Sequence, residues 1–401
     1  MRKSESVFGW TMPSRKAVRQ AERALASGEQ GVRDEVGFLI IHDAYANRFF
    51  PGTSVQQTRL RYVLFVPWIY KRLLERGIKS NVEQELASEE TNLVWRLKDN
   101  EKHGVIVATI HPQPAKQPPS VIYWSALNTW GFLRPEENRT SSRGLVHRML
   151  ERVSSIKRRY RSEVEPEEPY DPFWTIPNPP REWLEDKPNL NFKLTPPECE
   201  FLRDKLSRVQ KPNDTELSLL ARLAEAKVAP QFLYSRETSK YADEEDRVAL
   251  RRAASAAALG AVGRGIYAAL LEQICERDDG RQDIGTFHRS HLFDSVIPEF
   301  RELALELNLN ELMHDVPKMR PTLVVVLEQT LRWLKSSSTN LNDLRDSYAE
   351  SEWFRKRQRA RLRETGLARN RRNEWQPQAT TRAEQLHYRW PHAQQFLKDL
   401  L

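Results

Sequence analysis

The sequence has few of the features that mark a secreted protein or a membrane protein. Its 401 residues include two cysteines, Cys199 and Cys275, which are too few for a disulfide framework and too far apart for a metal-binding motif. The first ten residues lack the apolar stretch of a signal peptide, and we find no later apolar run long enough to span a membrane. We therefore expect a cytoplasmic protein.

Catalytic and cofactor motifs are also missing. There is no phosphate-binding Walker loop, no Rossmann fingerprint and no carboxylate–lysine set of a nuclease. His288, His291 and Asp294 have the spacing of metal ligands on one helix face, but no fourth ligand follows nearby. His42 and Asp43 are adjacent, as in a catalytic pair, without a nucleophile motif. The sequence therefore predicts a protein with no catalytic residues, no metal and no cofactor.

Positive charge is present but concentrated in one segment. The net charge is +8, and between Trp353 and Trp375 nine basic residues are accompanied by two acidic ones, Glu364 and Glu374. The basic residues are Arg355, Lys356, Arg357, Arg359, Arg361, Arg363, Arg369, Arg371 and Arg372. Clustered Lys and Arg side chains attract phosphate backbones, and Trp353, Phe354 and Trp375 could stack on bases or anchor the segment. The alternatives are a solvated helix face or a surface for an acidic protein partner.

A turn, two arginines and an apolar run follow one another between residues 49 and 70. Phe50-Pro51-Gly52-Thr53 predicts a turn, because Pro presets φ and Gly accepts a positive φ. Thr53 or Ser54 can then cap a helix that carries Arg59 and Arg61. The run from Tyr62 to Tyr70 is too apolar for a surface and too short for a membrane span, so it predicts core.

Arg59 and Arg61 have two interpretations. They could grip a phosphate near a helix N-terminus. Equally, they could pair inside the protein with Asp34, Glu35 or Asp43. We keep both possibilities and count the two arginines, with the basic segment, as candidate nucleic-acid contacts.

Apolar periodicity and capping residues predict a mainly α, helical multi-domain protein. The segments are an N-terminal helical region (1–80), a winged-helix-like module (81–160), a proline-rich strap (161–197), a helical domain (198–350), and a basic arm with a terminal anchor helix (351–401). Helices are predicted at 14–30, 81–100, 120–131, 195–209, 214–228, 242–276, 286–308 and 317–335. Small residues from Ala253 to Gly265 would allow close helix packing. Residues 386–401 either fold back on the protein or dock a partner subunit.

The winged-helix-like module is predicted between Glu83 and Arg134. A charged helix, a strand-like run from Val105 to Ile110 and a capped helix from Ser120 to Leu133 follow in the order of such a module. The polar residues that could face DNA are Tyr123, Asn128, Arg134 and Arg139. The apolar composition of the second helix equally suits a module with a purely structural role.

Several blocks together resemble an uncharacterised bacterial family, domain of unknown function 6361 (DUF6361). The blocks are Phe8-Gly9-Trp10, residues 33–37 (RDEVG), 50–54 (FPGTS), 57–59 (QTR), 61–70, 119–124 (PSVIYW), Trp130-Gly131 and 387–390 (HYRW). Members of this family resemble components of phage-defence islands, near helicases, ATPases and DNA methylases. The resemblance implies a role in a DNA-directed defence complex and does not identify an activity.

The resulting expectation is a non-enzymatic DNA-binding and scaffolding subunit of a bacterial anti-phage complex. Its basic arm would contact the DNA backbone, and its body would recruit a helicase, ATPase, methylase or nuclease partner. Two alternatives remain open. The chain could be an assembly subunit whose arm meets an acidic protein, or a metal-dependent nuclease of an unrecognised type that uses His288 or Asp294.

Overall fold

The computed structural model describes residues 34–78, 81–101, 103–106, 117–134, 142–159, 171–174, 176–377 and 383–401. Its α-helices up to residue 254 are α1 (Leu39–Phe49), α2 (Tyr62–Arg76), α3 (Val82–Lys98), α4 (Pro119–Ile122), α5 (Trp124–Thr129), α6 (Arg143–Arg159), α7 (Arg181–Leu184), α8 (Pro196–Leu206), α9 (Leu219–Glu225), α10 (Arg236–Tyr241) and the start of α11 (Glu244–Arg277). They are followed by α12 (Phe287–His291), α13 (Ile297–Leu305), α14 (Leu309–Asp315), α15 (Pro321–Ser336), α16 (Asn342–Lys356), α17 (Gly366–Asn373) and α18 (Trp390–Asp399).

The prediction of a mainly α protein is confirmed. The described residues form no strand, only two isolated bridges, Leu133 with Phe173 and Gln210 with Leu217. The strand-like run of the predicted winged-helix module falls at 105–110, of which residues 107–110 lie outside the described part of the chain. Helices flank this run on both sides, but a wing is not shown, so the module stays a prediction.

The chain forms two compact units, each built from separate stretches of sequence. The N-terminal unit consists of His42–Ala254 with His387–Leu401. The C-terminal unit consists of Ser255–Leu386 with the described residues before His42. The terminal anchor helix and the basic segment, which the sequence placed together in 351–401, therefore belong to different units.

Helix α2 lies at the centre of the N-terminal unit. All residues from Tyr62 to Tyr70 are buried, as predicted, so this helix meets other elements on every side. The proline-rich strap contributes to that core: the Trp183 ring stacks on Phe65 at 5.5 Å, and the indole N–H of Trp68 donates to the Pro177 carbonyl oxygen at 2.9 Å. These contacts pin the strap to the unit.

The cap signals in the sequence mark real helix ends. The Asn81 side chain accepts the backbone N–H of Glu83 at the start of α3. At the start of α8, in the helix predicted from residue 195, Thr195 and Glu198 form a capping box. The helix predicted to carry Arg59 and Arg61 was wrong, since α2 begins at Tyr62 and the preceding residues form turns. Pro51 and Gly52 do form the predicted turn, with the Thr53 N–H donating to the Phe50 carbonyl.

In the C-terminal unit, small residues on α11 let large side chains approach its backbone. A Cβ atom on Gly263 would lie 2.2 Å from the Phe38 ring, and one on Gly265 would lie 2.9 Å from Leu292. The prediction of a close-packing surface between Ala253 and Gly265 is confirmed at these positions. The helix predicted at 286–308 is interrupted, because residues 292–296 form a π-helical turn just before Pro298, which lacks an N–H.

Helix α11 also corrects one expectation. Among the described residues it is the one helix whose length and apolar composition would allow it to cross a membrane. Its apolar window is 94% buried, as in the core helix of a soluble protein. The expectation that no run reaches that length was therefore wrong.

Candidate nucleic-acid interface

The basic segment divides into residues that are paired with acids and residues that are not. The paired residues are Arg355 with Asp34 (2.8 Å), Lys356 with Glu35 (3.2 Å), Arg369 with Asp279 (3.5 Å), Arg371 with Glu374 (3.3 Å) and Arg372 with Asp279 (2.6 Å). Four of these five pairs use acids outside the segment itself. More of the positive charge is paired than the sequence suggested, because most of the carboxylates that pair with it come from distant sequence positions.

The remaining basic residues lie on one loop, Arg357–Arg363, which we call the arginine loop. Its four arginines, Arg357, Arg359, Arg361 and Arg363, have no carboxylate partner within the described residues. Arg357 and Arg359 are exposed, and Arg361 and Arg363 are half-buried. The loop follows α16 directly, starting with a short 3-10 turn at residues 357–359. It is thus the part of the basic segment whose charge is not used in internal ion pairs.

Glu352, on the last turns of α16, fixes the path of the arginine loop. Its carboxylate is fully buried and accepts the backbone N–H groups of Arg361 and Leu362, each at 2.8 Å. Its other oxygen accepts the hydroxyl of Tyr267 at 2.6 Å, and burial raises the pKa of that phenol. Lys356 lies 3.8 Å from the same carboxylate. The loop therefore turns back along the helix that it follows.

Arg372 holds the loop from the other side. This side chain is buried, and it makes two hydrogen bonds to Asp279, at 2.6 and 2.9 Å. Its remaining nitrogen donates to the carbonyl oxygens of Arg361 and Arg363, at 2.5 and 2.9 Å. The hydrogen bond from Arg372 lowers the pKa of Asp279. Arg372 consequently acts as an internal brace and is not available to a ligand.

Two aromatic side chains at the end of α16 carry loop arginines on their faces. The guanidinium of Arg363 lies 4.4 Å from the centre of the Trp353 ring, and that of Arg357 lies 5.1 Å from the centre of the Phe354 ring. Phe354 is 39% exposed. Trp375 differs, because it is buried and its ring lies 5.7 Å from the His288 ring. Of the three aromatic residues noted in the sequence, Trp375 is thus an anchor.

The backbone of the loop is strained at its first residue. Arg357 has a φ of +52° and a ψ of −123°, outside the usual left-handed region. Such a conformation costs about 1–3 kcal/mol and persists only where surrounding contacts impose it. The backbone N–H of Arg357 donates to the Trp353 carbonyl oxygen, and the hydrogen bonds that residues 361–363 make with Glu352 and Arg372 fix the loop that follows.

Arg59 and Arg61 lie in the N-terminal unit and bind acids there. Arg59 donates to Asp399 at 3.0 Å, and Arg61 donates to the buried Glu198 at 2.9 Å. Arg61 is itself only 4% exposed. These partners are not the ones that the sequence suggested, since Asp34, Glu35 and Asp43 bind Arg355, Lys356 and Arg389. The guanidinium of Arg61 has no open face for a phosphate.

The polar residues of the predicted winged-helix module are also placed. Tyr123 is fully buried, and its hydroxyl accepts the backbone N–H groups of Thr58 and Arg59 while donating to the Arg59 carbonyl. Arg134 donates to the Phe173 carbonyl and lies over the exposed Trp174 ring. Arg139 lies outside the described residues. Tyr123 therefore has a structural role.

Histidines with metal-like spacing are not brought together as a ligand set. In the described part of the chain no group of three or more His, Cys, Asp and Glu side chains could hold a metal ion. His288 is buried with Nε2 3.0 Å from the Pro377 carbonyl oxygen, whereas Asp294 is exposed. His42 lies 3.5 Å from Asp43, and that aspartate also accepts a hydrogen bond from Arg389.

Several of the sequence blocks that carry the family resemblance, at 50–54, 57–59, 119–124, Trp130-Gly131 and 387–390, meet in one cluster of the N-terminal unit, whereas residues 34–37 belong to the C-terminal unit. The Trp130 indole donates to the Pro51 carbonyl at 2.8 Å, and Arg389 donates to the Thr53 carbonyl at 2.8 Å. Gln57 bonds the Ile122 carbonyl at 3.2 Å. The terminal block thus folds back onto its own chain. In each of these contacts a side chain donates to a backbone carbonyl oxygen, so the contacts hold segments of the fold together.

Sequence reasoning missed Glu352 and Asp279. Both acids hold the arginine loop in place, directly or through Arg372; Glu352 is fully buried, and the side chain of the half-buried Asp279 is 3% exposed. No local motif surrounds either residue, so only the tertiary contacts reveal their roles.

Fold and site together define a mainly helical protein of two compact units, with an arginine loop braced by buried acids. The chain belongs to the family of unknown function DUF6361, whose model matches residues 16–271. The predicted family is therefore confirmed, and the arginine loop lies beyond the matched residues. No curated protein and no solved structure matches the chain.

Proposed function

We propose that this chain is a non-enzymatic DNA-binding and scaffolding subunit of a bacterial anti-phage defence complex, and that the arginine loop is its DNA contact. The observation that carries the proposal is the set of four arginines in residues 357–363 without carboxylate partners among the described residues. Guanidinium groups that are not neutralised attract phosphates and release counterions on binding. Of the paired residues in the basic segment, Arg372 holds the loop through the carbonyl oxygens of Arg361 and Arg363.

The fixed path of the loop supports this role. A hydrogen bond from the Arg361 N–H to Glu352, and hydrogen bonds from Arg372 to the carbonyls of Arg361 and Arg363, order the loop backbone before any ligand arrives. A preordered site loses less conformational entropy on binding, so more of the electrostatic attraction contributes to affinity. The defence role and the recruitment of helicase, ATPase, methylase or nuclease partners are supported by the family resemblance.

The test is fluorescence anisotropy of labelled duplex and single-stranded DNA across a salt series. The loop variant carries Arg357→Gln, Arg359→Gln and Arg363→Gln. Removing three phosphate contacts should reduce the slope of log affinity against log salt by about 2 to 3. Arg361 is left unchanged because it is half-buried and its Nε is covered from solvent.

A matched control removes the same charge elsewhere. Arg181, Arg208 and Arg332 are exposed arginines in i,i+4 ion pairs, and all three change to Gln in the control. Its salt slope should stay close to that of the intact protein. If the intact protein binds neither DNA, or if the control loses as much as the loop variant, the proposal fails. Co-purification with a protein partner but no DNA would then favour the assembly-subunit alternative.

A further inference from the structure

Two layers at the end of α16, one half-buried and one exposed, have a property that phosphate binding does not require. Each layer is an aromatic ring with a guanidinium on one face: Trp353 with Arg363 at 4.4 Å, and Phe354 with Arg357 at 5.1 Å. Within the described residues no second aromatic ring packs against either of them. Charge alone would attract a phosphate backbone, so the rings call for a separate explanation.

Aromatic rings and guanidinium groups are flat, so those that reach the surface can stack on a nucleic-acid base. Trp353 is half-buried and Phe354 is 39% exposed, whereas Trp375 in the same segment is buried. Bases in a duplex are stacked on one another, so their faces are closed to a protein. Bases of a single strand can stack on aromatic side chains and on arginine.

We infer that the arginine loop takes single-stranded nucleic acid, with unpaired bases stacked on the Trp353–Arg363 and Phe354–Arg357 layers. This inference rests on the proposed function and specifies its ligand class. Arg359 is exposed between the two layered arginines in sequence, and it adds a phosphate contact to those that the two layered guanidinium groups make. The site binds by base faces and phosphates, a chemistry that single-stranded DNA and single-stranded RNA share.

The test compares four labelled probes at one salt concentration: single-stranded DNA, single-stranded RNA, duplex DNA, and an abasic DNA strand that keeps its phosphates. The intact protein should bind the single strands more tightly than the duplex and the abasic strand. Changing Trp353→Leu and Phe354→Leu together leaves every charge in place. Each ring should account for roughly tenfold in single-strand affinity, while the salt slope stays unchanged.

Phe232→Leu is the control, because Phe232 is a 63% exposed ring remote in sequence from the loop. It should bind all probes as the intact protein does. The abasic probe tests the intact protein, so the inference remains testable even if the double variant does not fold. The DNA and RNA arms show which single strand is preferred.

The possible failures are distinguishable. Equal binding of duplex, abasic and single strands, or an unchanged double variant, would overturn the stacking inference. In that case the proposed function would survive if the triple arginine variant still reduced the salt slope. If the intact protein bound none of the four probes, both would fail.

Discussion

Glu90 is a buried carboxyl group whose protonation should control the pH dependence of stability. It lies on α3, is 4% exposed, and accepts the backbone N–H of Ser120 through Oε1 at 2.7 Å. Its Oε2 is buried and has no hydrogen-bond partner among the described residues. Burial raises the pKa of Glu90 to about 7, and the opposing effects of Ser120 and Arg143 are smaller.

The size of the effect follows from that pKa. An unfolded chain titrates this group near its ordinary value of 4.5, so the folded protein holds an extra proton between pH 4.5 and about 7. Stability therefore falls as the pH rises through this window and levels off above it. The difference between the two pKa values corresponds to about 3 kcal/mol.

The perturbation is Glu90→Gln, which keeps the shape and the oxygen acceptor but cannot ionise. The free energy of unfolding of the variant, minus that of the intact protein, should rise by about 3 kcal/mol from pH 4.5 to about pH 8. Urea unfolding followed by tryptophan fluorescence at several pH values measures this difference. Any fixed cost of burying the amide shifts the whole curve and does not change its pH dependence.

His147 is the neighbouring group with the opposite pH dependence. Its Nε2 lies 2.7 Å from the hydroxyl of Tyr70, and burial lowers the pKa of His147 to about 4. Because this folded pKa is below the ordinary value of 6.5, the neutral imidazole contributes stability above pH 6.5 that is lost as the pH falls toward 4. Both proteins contain His147, so its effect cancels in the difference.

Glu75→Gln is the control for this measurement. Glu75 is exposed on α2, so its replacement should give a difference in unfolding free energy that does not vary with pH. If the Glu90→Gln difference were also constant from pH 4.5 to about pH 8, the reasoning about the buried carboxyl would be refuted.

Two further substitutions, each with a control substitution, test the turn and the brace by urea unfolding. Gly52 has a φ of +82°, and a Cβ there would lie 2.6 Å from the Trp130 indole nitrogen, so Gly52→Ala should cost about 2 kcal/mol or more. Gly131 has a φ of +68° with no atom near an added Cβ, so Gly131→Ala is the control and should cost about 1 kcal/mol. Equal losses of stability in the two variants would argue against the contact with Trp130. Asp279→Asn leaves the buried Arg372 without its carboxylate partner and should lower the free energy of unfolding by about 3 kcal/mol. Glu374→Gln breaks an exposed ion pair and should lower it by at most about 0.5 kcal/mol. Similar losses of stability in Asp279→Asn and Glu374→Gln would refute the role of Arg372 and Asp279 as a brace.

Local signals in the sequence were sufficient for much of the fold. A cap acts through residues only two or three positions away, and the helices predicted to start at residues 81 and 195 do begin there, with caps at Asn81 and Thr195. The run from Tyr62 to Tyr70 was identified as core because its composition leaves no polar face. The failure at Arg59 and Arg61 has a local cause as well, since residues 54–60 make turns where a helix was expected.

By itself, the sequence determined the helical class, the family, several helix ends and the position of the excess positive charge. It did not determine which of those charges are free. Arg355 pairs with Asp34 across 321 positions, and Arg372 pairs with Asp279 across 93. Ion pairing depends on distances of a few ångströms in space, and the folded chain alone decides which carboxylates come that close. The tertiary structure thereby reduced a basic segment of nine residues to one braced loop.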